Sequence, residues 1–517
     1  MAGCSAPQSV DAPPAADPTS SPTAGGAAEP TGSAGTDTFV YGISGDPTST
    51  NPINANDRWG LTTVNIAYSP LAHLNADGTT TNDLAESIEP SDDGLSVTVK
   101  LQDGLKWSDG EALTADDVVF TYTEKAKPEN GNSDALWVGD APITATKVDD
   151  LTVRFDLPSY SAAAIANLAF ENYIIPEHVY ADADLSGAEL DPIAVGSGPY
   201  KLTQYERGQY LRFEANENYH GDAPNIKNLT LRIVSNADTV KAGLQTGELD
   251  ASFVTPQQVP DLENSPVTVT PYPEGRVAYL GVVTAKVTDL ATRQALFYSL
   301  NRDDILRASW LDAANYEPAY SILPPSNVFA TEDVEHYDQD VEKAKQLLAD
   351  AGANNVKLTL AYAGNDPAQT TQATLIQQQA QAAGITIELA GVEGAAVYAE
   401  IEKGAASSYD LFLGGYIMGP DPDSYSALYR SGAGANYFAY SNPATDALFD
   451  EGAQVKTTEE RKAAYAKLQA QIADDAVMFP LGDNLKLLAV NDRITGVEEA
   501  TPVPIYTLQD FGKLSEK

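Results

Sequence analysis

Cysteine is all but missing from this 517-residue chain. The single copy, Cys4, excludes an internal disulfide and any cysteine-based metal cluster. Basic side chains are scarce as well: 31 Lys plus Arg stand against 73 Asp plus Glu, for a formal net charge of -42. Binding nucleic acid takes clustered cations that displace counterions from phosphate, and an anionic membrane surface asks for the same, so neither is an expected partner. The acidity itself reads as a solubility device or the mark of a salty habitat. Long apolar runs are absent too, because charges, glycine or proline interrupt each one before the roughly 18 residues a spanning helix requires.

The length exceeds what one hydrophobic core serves, so two or more domains are expected. Met1-Ala2-Gly3-Cys4 has the form of the end of a bacterial lipobox, where small residues precede a cysteine that becomes the acylated N-terminus. The charged and apolar parts of a signal peptide do not stand ahead of it in this numbering, so a longer precursor is expected. From Ser5 to about Thr36 the chain is almost wholly Ala, Pro, Ser, Thr and Gly, with no Lys, Arg or aromatic residue. Such a stretch cannot repay its ordering entropy by burial; as a coil its ends would lie on the order of 30 Å apart. Cysteine anchor, leash and body form the layout of a surface lipoprotein.

Folded patterning begins near Phe39. Leu95, Val97, Val99 and Leu101 alternate with polar residues, as do Leu151, Val153, Phe155 and Leu157, the pattern of half-buried strands. After about residue 276 the rhythm changes. Val341, Ala344, Leu347, Leu348 and Ala351 mark one helical face that Gly352 ends. A strand through Val356, Leu358 and Leu360, a helix from about Asp366 to Ala383 and a strand from Ile385 to Leu389 make a βαβ crossover. The later part is therefore α/β.

Five phrases fall in one order along this body: Leu84-Ala85-Glu86-Ser87 with Leu105-Lys106-Trp107-Ser108-Asp109-Gly110 running on to Thr114-Ala115-Asp116-Asp117-Val118; Gly196-Ser197-Gly198-Pro199-Tyr200 leading to Asn218-Tyr219-His220-Gly221; Gly243-Leu244-Gln245-Thr246-Gly247-Glu248-Leu249-Asp250; Thr292-Arg293-Gln294-Ala295-Leu296 through Asn301-Arg302; and Asp421-Pro422-Asp423-Ser424-Tyr425. In this the chain resembles the bacterial extracellular solute-binding proteins of family 5, the peptide- and nickel-type receptors of ABC importers. Most of these phrases have local work to do. Asp109 and Gly110 suit a turn, Thr114 a helix N-cap, and Gly196-Ser197-Gly198-Pro199 another turn. Ser197 lacks the Gly-x-Ser-x-Gly spacing of a nucleophile elbow.

The resemblance implies an α/β fold of the periplasmic-binding-protein type, a two-lobed clamp with an extra inserted subdomain. Carried onto this numbering, residues 1–37 are anchor and tether; 38–68, 197–275 and 485–517 form lobe I; 69–196 form the inserted subdomain; and 276–484 form lobe II. The implied function is an extracytoplasmic solute-binding component of an ABC importer, held on the outer face of the cell membrane by a lipid on Cys4. It would act as a monomer, with a membrane permease as partner, no cofactor and no catalysis. A sensory or interaction lipoprotein that presents a ligand is the alternative.

Solute would lie between the lobes. The resemblance implies a cleft-facing loop offering Asn56, Asp57, Arg58 and Trp59, an aromatic wall at Trp137, Tyr279 past the first crossing, Asp483 and Asn484 at the second, and Gly415, Tyr416, Ile417 and Met418 from lobe II. Tyr416→Ala and Trp59→Ala are each expected to weaken affinity and leave the fold intact. In peptide-binding relatives an aspartate about four residues before the Pro of the acid-Pro phrase holds the peptide ammonium. Here Met418 or Gly419 takes that place, with Asp421 and Asp423 nearby, so a peptide, a blocked peptide, a sugar or another polar solute all fit. Of the four histidines, His73, His178, His220 and His336, none pairs with another at ligand spacing in the sequence, and no metal is expected.

Overall fold

The computed structural model describes residues 37–75, 79–168, 172–187, 195–500 and 508–517. The lipid attachment expected at Cys4 and the tether that follows it lie outside the described residues. Three larger sheets organise the rest. A seven-stranded sheet runs in the order Tyr200–Glu206, Tyr210–Ala215, Asn228–Ile233, Thr38–Ile43, Ala251–Val254, Lys486–Asn491, Val267–Tyr272. Its central strand Thr38–Ile43 is parallel to both neighbours, and the other pairings are antiparallel. A four-stranded antiparallel sheet holds Ala85–Pro90, Ser96–Leu101, Thr152–Asp156 and Thr144–Asp149. A six-stranded sheet runs Tyr316–Pro318, Met478–Asn484, Val277–Val282, Leu411–Tyr416, Lys357–Ala363, Thr386–Val392.

The apolar alternation translates directly into faces. Val97, Val99 and Leu101 are buried while Thr98 and Lys100 look outward. Leu95, expected to open that series, precedes the strand and is exposed. The helix Val341–Asp350 ends ahead of Gly352, whose φ of +66° a side chain would strain. Asp366 caps the helix Pro367–Ala382 by accepting from the backbone of Ala368 and Gln369, with Pro367 at its first position. The strands on either side of that helix pair in parallel from Lys357↔Thr386 to Ala363↔Val392, a βαβ unit. Thr114 closes a capping box with Asp117 at the start of the helix Ala115–Lys125. Gly196 and Gly198 have a different reason from the expected turn: a Cβ on either would collide with the backbone of Ala67 at the end of the helix Arg58–Ala67.

Chain passes between the seven- and six-stranded sheets twice. It leaves at Tyr272 to enter at Val277, and it returns from Asn484 to Lys486 with one residue between. The buried apolar clusters respect those crossings. Two of them take residues up to Tyr272 or from Leu487 onward, and two take residues from Val277 to Leu481; among the described residues none mixes the two sets. The four-stranded sheet shares its cluster with one face of the seven-stranded sheet, where Val99 and Phe155 join Phe39 and Tyr41. With separate interiors on each side, relative motion at the crossings would expose little apolar surface. Among the described residues no helix is long and apolar enough to cross a membrane.

Candidate functional site

The crossings gather charge. Glu274, in the first, is buried and pairs with Arg58 and with Lys486 (3.4 Å), just past the second crossing. Arg58 and Lys486 also lie over the Phe253 ring, 5.3 and 5.8 Å from its centroid. Asp483 is fully buried. One of its oxygens accepts the backbone N–H of Gly275 (2.8 Å) and of Arg276 (3.2 Å), and the other has no hydrogen-bond partner. Burial pushes its carboxyl up to about 7, aided by the charge of Glu274 and opposed by the two amides. The Arg276 guanidinium rests against Gly415, where a Cβ would collide with it, and donates to Asn484 Oδ1 at 3.4 Å.

Beyond them stands an aromatic group from the six-stranded side. Tyr279, on the strand after the first crossing, has its ring 5.3 Å from Tyr416, 5.7 Å from Phe412 and 5.4 Å from Phe438. Tyr416 donates its hydroxyl to the Ile322 carbonyl (2.7 Å) and shares a hydrogen bond with Tyr429 (2.8 Å). Burial raises the hydroxyls of Tyr279, Tyr416 and Tyr429 well above their ordinary range, so they stay neutral. Strand Leu411–Tyr416 pairs with Lys357–Ala363 only at Leu411 and Phe412, and with Val277–Val282 along its whole length. Its last residues therefore form a splayed edge carrying two glycines, Gly414 and Gly415.

The expected residues divide by environment. Arg58, Tyr279, Gly415, Tyr416, Asp483 and Asn484 gather about the crossings, while Ile417 and Met418 are half-buried in the loop beyond. Asn56 is exposed. Asp57 caps the helix Arg58–Ala67, accepting from the backbone of Trp59 and Gly60, and takes two more bonds from Thr48. Trp59, expected as an exposed aromatic, is buried: its ring packs 5.9 Å from Tyr41 and 6.0 Å from Phe253, and its N–H meets Ser44 Oγ at 3.1 Å. Trp59→Ala would thus open a cavity in the core and not leave the fold intact, contrary to the expectation above. Trp137 is half-buried and donates to the Ala126 carbonyl at 2.9 Å. Asp421 is engaged in a buried two-bond pair with Arg461, both at 2.9 Å. Although burial opposes its charge, the bonds and charge of Asp421 hold Arg461 firmly protonated. Asp423 accepts from Tyr465 at 3.3 Å, its carboxyl raised by burial and then by Asp421.

Four participants escaped the sequence reading: Phe253, Glu274, Arg276 and Lys486. Glu274-Gly275-Arg276, two charges astride a glycine at the expected crossing, was the available signal. The histidines hold another surprise. His73 and His220, 147 positions apart, both bond Asp83, at 2.9 and 2.5 Å, beside a cavity of 240 Å³ lined also by Tyr219, Asp510 and Lys513. Both imidazoles aim at the carboxylate, and among the described residues no group of three or more His, Cys, Asp or Glu is arranged to hold a metal ion.

Comparison with known proteins fits this arrangement. The model of the bacterial extracellular solute-binding proteins, family 5, matches residues 79–437. The oligopeptide-binding protein AppA of Bacillus subtilis is 27% identical over 468 residues, covering 84% of each chain. The dipeptide-binding protein of Escherichia coli is 27% identical over 498 residues, 89% of this chain and 91% of that one. The crystal structure of the ABC transporter substrate-binding protein CtaP from Listeria monocytogenes superimposes with a TM-score of 0.88 at 35% identity, over 93% of this chain and 99% of that one. The two-lobed architecture expected from the sequence is that of these neighbours.

Proposed function

The chain belongs to the bacterial extracellular solute-binding proteins of family 5, and from that premise we propose that it captures an oligopeptide, or a polar organic solute of similar reach, between its lobes. It is the extracytoplasmic solute-binding component of an ABC importer, with a membrane permease as its partner. Family members are transport receptors and not enzymes, and we read this chain as one that releases its solute unchanged. Lobe I is taken as 38–68, 197–275 and 485–517, the inserted subdomain as 69–196 and lobe II as 276–484. Residues 1–37 serve as tether, Cys4 carries the lipid, and the receptor acts as a monomer.

The observation that supports this reading is the separation of the apolar clusters across two short crossings, with Tyr279, Gly415, Tyr416 and Asn484 beside them. Two bodies joined in this way can close on a guest, and a guest that touches both favours the closed state by the difference between its affinities for closed and open forms. Arg58, Asn484 and the Gly415–Met418 segment are the side chains and backbone we assign to that contact; Asp421 is withdrawn by Arg461.

The test is native mass spectrometry of the protein isolated without unfolding, followed by small-angle scattering with pooled short peptides. A retained molecule and a smaller radius of gyration on peptide addition are expected. Tyr416→Ala should weaken peptide binding by about tenfold, or 1.4 kcal/mol. No retained molecule together with unchanged scattering would sink the proposal.

A further inference from the structure

Resting on that reading, we infer that the solute carries a carboxylate that docks on the Arg276 guanidinium at the Gly415 edge. Cationic charge at the crossings is incompletely matched. Arg58 and Lys486, the other cations at the crossings, both pair with the Glu274 carboxylate. Arg276 has no carboxylate within ion-pair distance among the described residues, and its one side-chain hydrogen bond is the long contact to Asn484. Three other arginines of this side also lack a carboxylate partner among the described residues: Arg307 is exposed to solvent, while Arg293 and Arg302 direct their N–H groups to backbone carbonyls, those of Val287, Thr288 and Asp475 for Arg293, and of Pro480 and His336 for Arg302. Arg276 is half-buried without such partners. A guanidinium that has given up part of its hydration and gained little in return favours an anion brought to it.

Among the described residues no acid is paired with that guanidinium; half-buried Glu317, opposite Asp483 in the sheet, makes no ion pair with it. Asp421 is paired with Arg461, Asp423 bonds Tyr465, and Met418 and Gly419 carry no charge. Asp483 serves the backbone amides of Gly275 and Arg276, and its free oxygen is sealed from solvent, so it is neither a counter-ion at the exposed side of the guanidinium nor a seat for a solute ammonium. Burial further drives its carboxyl toward the neutral form. Gly415 gives the guanidinium room to lie against the strand, and beyond Phe412 the strand has no ladder to Lys357–Ala363, so an extended solute can approach both the backbone there and the fork of the arginine. The same acids that are missing for an ammonium thus leave a site of the opposite sign.

The carboxylate could be a peptide C-terminus or an acidic side chain, and matched peptides separate the two. Full-length protein is titrated calorimetrically with pooled five-residue peptides, a length of roughly 17 Å when extended, in free-acid and C-terminally amidated forms, each with one internal Glu or Gln. Tighter binding of free acids by about tenfold, irrespective of the internal residue, assigns the terminus; rescue of the amidated pool by Glu alone assigns the side chain. Either preference should vanish in Arg276→Gln and survive in part in Arg276→Lys, which keeps the charge and loses the fork; should the glutamine variant melt early, the lysine variant carries the test through its reduced preference. Equal binding of acid and neutral pools by the native protein, or a preference that Arg276→Gln and Arg276→Lys leave unchanged, overturns the inference and leaves the receptor reading standing. Failure of every pool to bind removes the peptide reading, and the inference with it.

Discussion

Two buried aspartates sit at two junctions of this molecule and are treated in opposite ways. Asp83 lies where the inserted segment meets the seven-stranded side, and His73 and His220 bond one oxygen each. Burial would raise its carboxyl, but those two bonds and the imidazole charges outweigh it and bring it down to about 2. Asp483 lies at the crossings between the two sheets that would move, with one oxygen bonded to two amides and the other to nothing, and its carboxyl rises to about 7. A junction that shares one apolar cluster can fix its charges completely. One that must open and close keeps an acid whose bonds are incomplete, and holds the crossing backbone with weaker ties.

Removing Asp83 should be the costlier change. Asp83→Ala strands two imidazoles at a joint within a shared core, and breaking a buried pair costs about 3–5 kcal/mol, read as a loss in chemical denaturation. Because its carboxyl is depressed on folding, the stabilisation is present above the unfolded value near 4 and lost as pH falls through about 2. A wild-type stability at Asp83→Ala would erase the distinction between the junctions.

Asp483→Asn should act in the other direction and depend on pH. A carboxyl raised on folding gives stability that is full below about 4 and lost as pH rises through about 7, so the native protein should weaken over that window while the asparagine variant does not. The gap at pH 8 should reach about 2–4 kcal/mol in favour of the variant, from a shift of roughly three units at about 1.4 kcal/mol each. Parallel pH profiles for the two proteins would show that Asp483 is already ionised at no cost.

Local order was legible in the sequence because it depends on neighbours. The βαβ unit from Lys357 to Val392, the cap at Thr114 and the two central strands of the four-stranded sheet, Ser96–Leu101 and Thr152–Asp156, follow from periodicity and capping chemistry within a few positions. Trp59 shows where attention to one more local signal would have helped. Asn56-Asp57-Arg58-Trp59 reads as a polar loop until Asp57 is recognised as an N-cap, after which Trp59 falls on a helix in which nine of ten residues are buried. The partners of charge were not legible. Asp421 finds Arg461 40 positions away, and Asp83 finds His220 at 137, distances over which no spacing rule operates. Arg276 meets Gly415 only because the strand that follows Arg276 pairs antiparallel with the strand that carries Gly415, Ala278↔Gly415.

The contact across the far rim offers the finest test of the contrast between fixed and moving joints. Lys456, beyond the helix Pro443–Gln454 of the six-stranded side, donates to the Asp92 carbonyl (3.2 Å) and lies 5.3 Å from the Tyr160 ring centroid, while Tyr160 donates to the Val455 carbonyl at 3.4 Å. Both bonds are long, the lysine's exposed and the tyrosine's part-buried, and a cation over an aromatic ring at an exposed site contributes about 0.5–1 kcal/mol. Strength of that order suits a clasp that must release: it biases the lobes toward closure two- to fivefold and no more. Lys456→Ala should therefore leave the melting temperature in place, shift the distance between labels on the two lobes toward the open form by that factor, and quicken solute release to match. A distribution that does not move on losing Lys456 would mean that closure is set at the crossings alone.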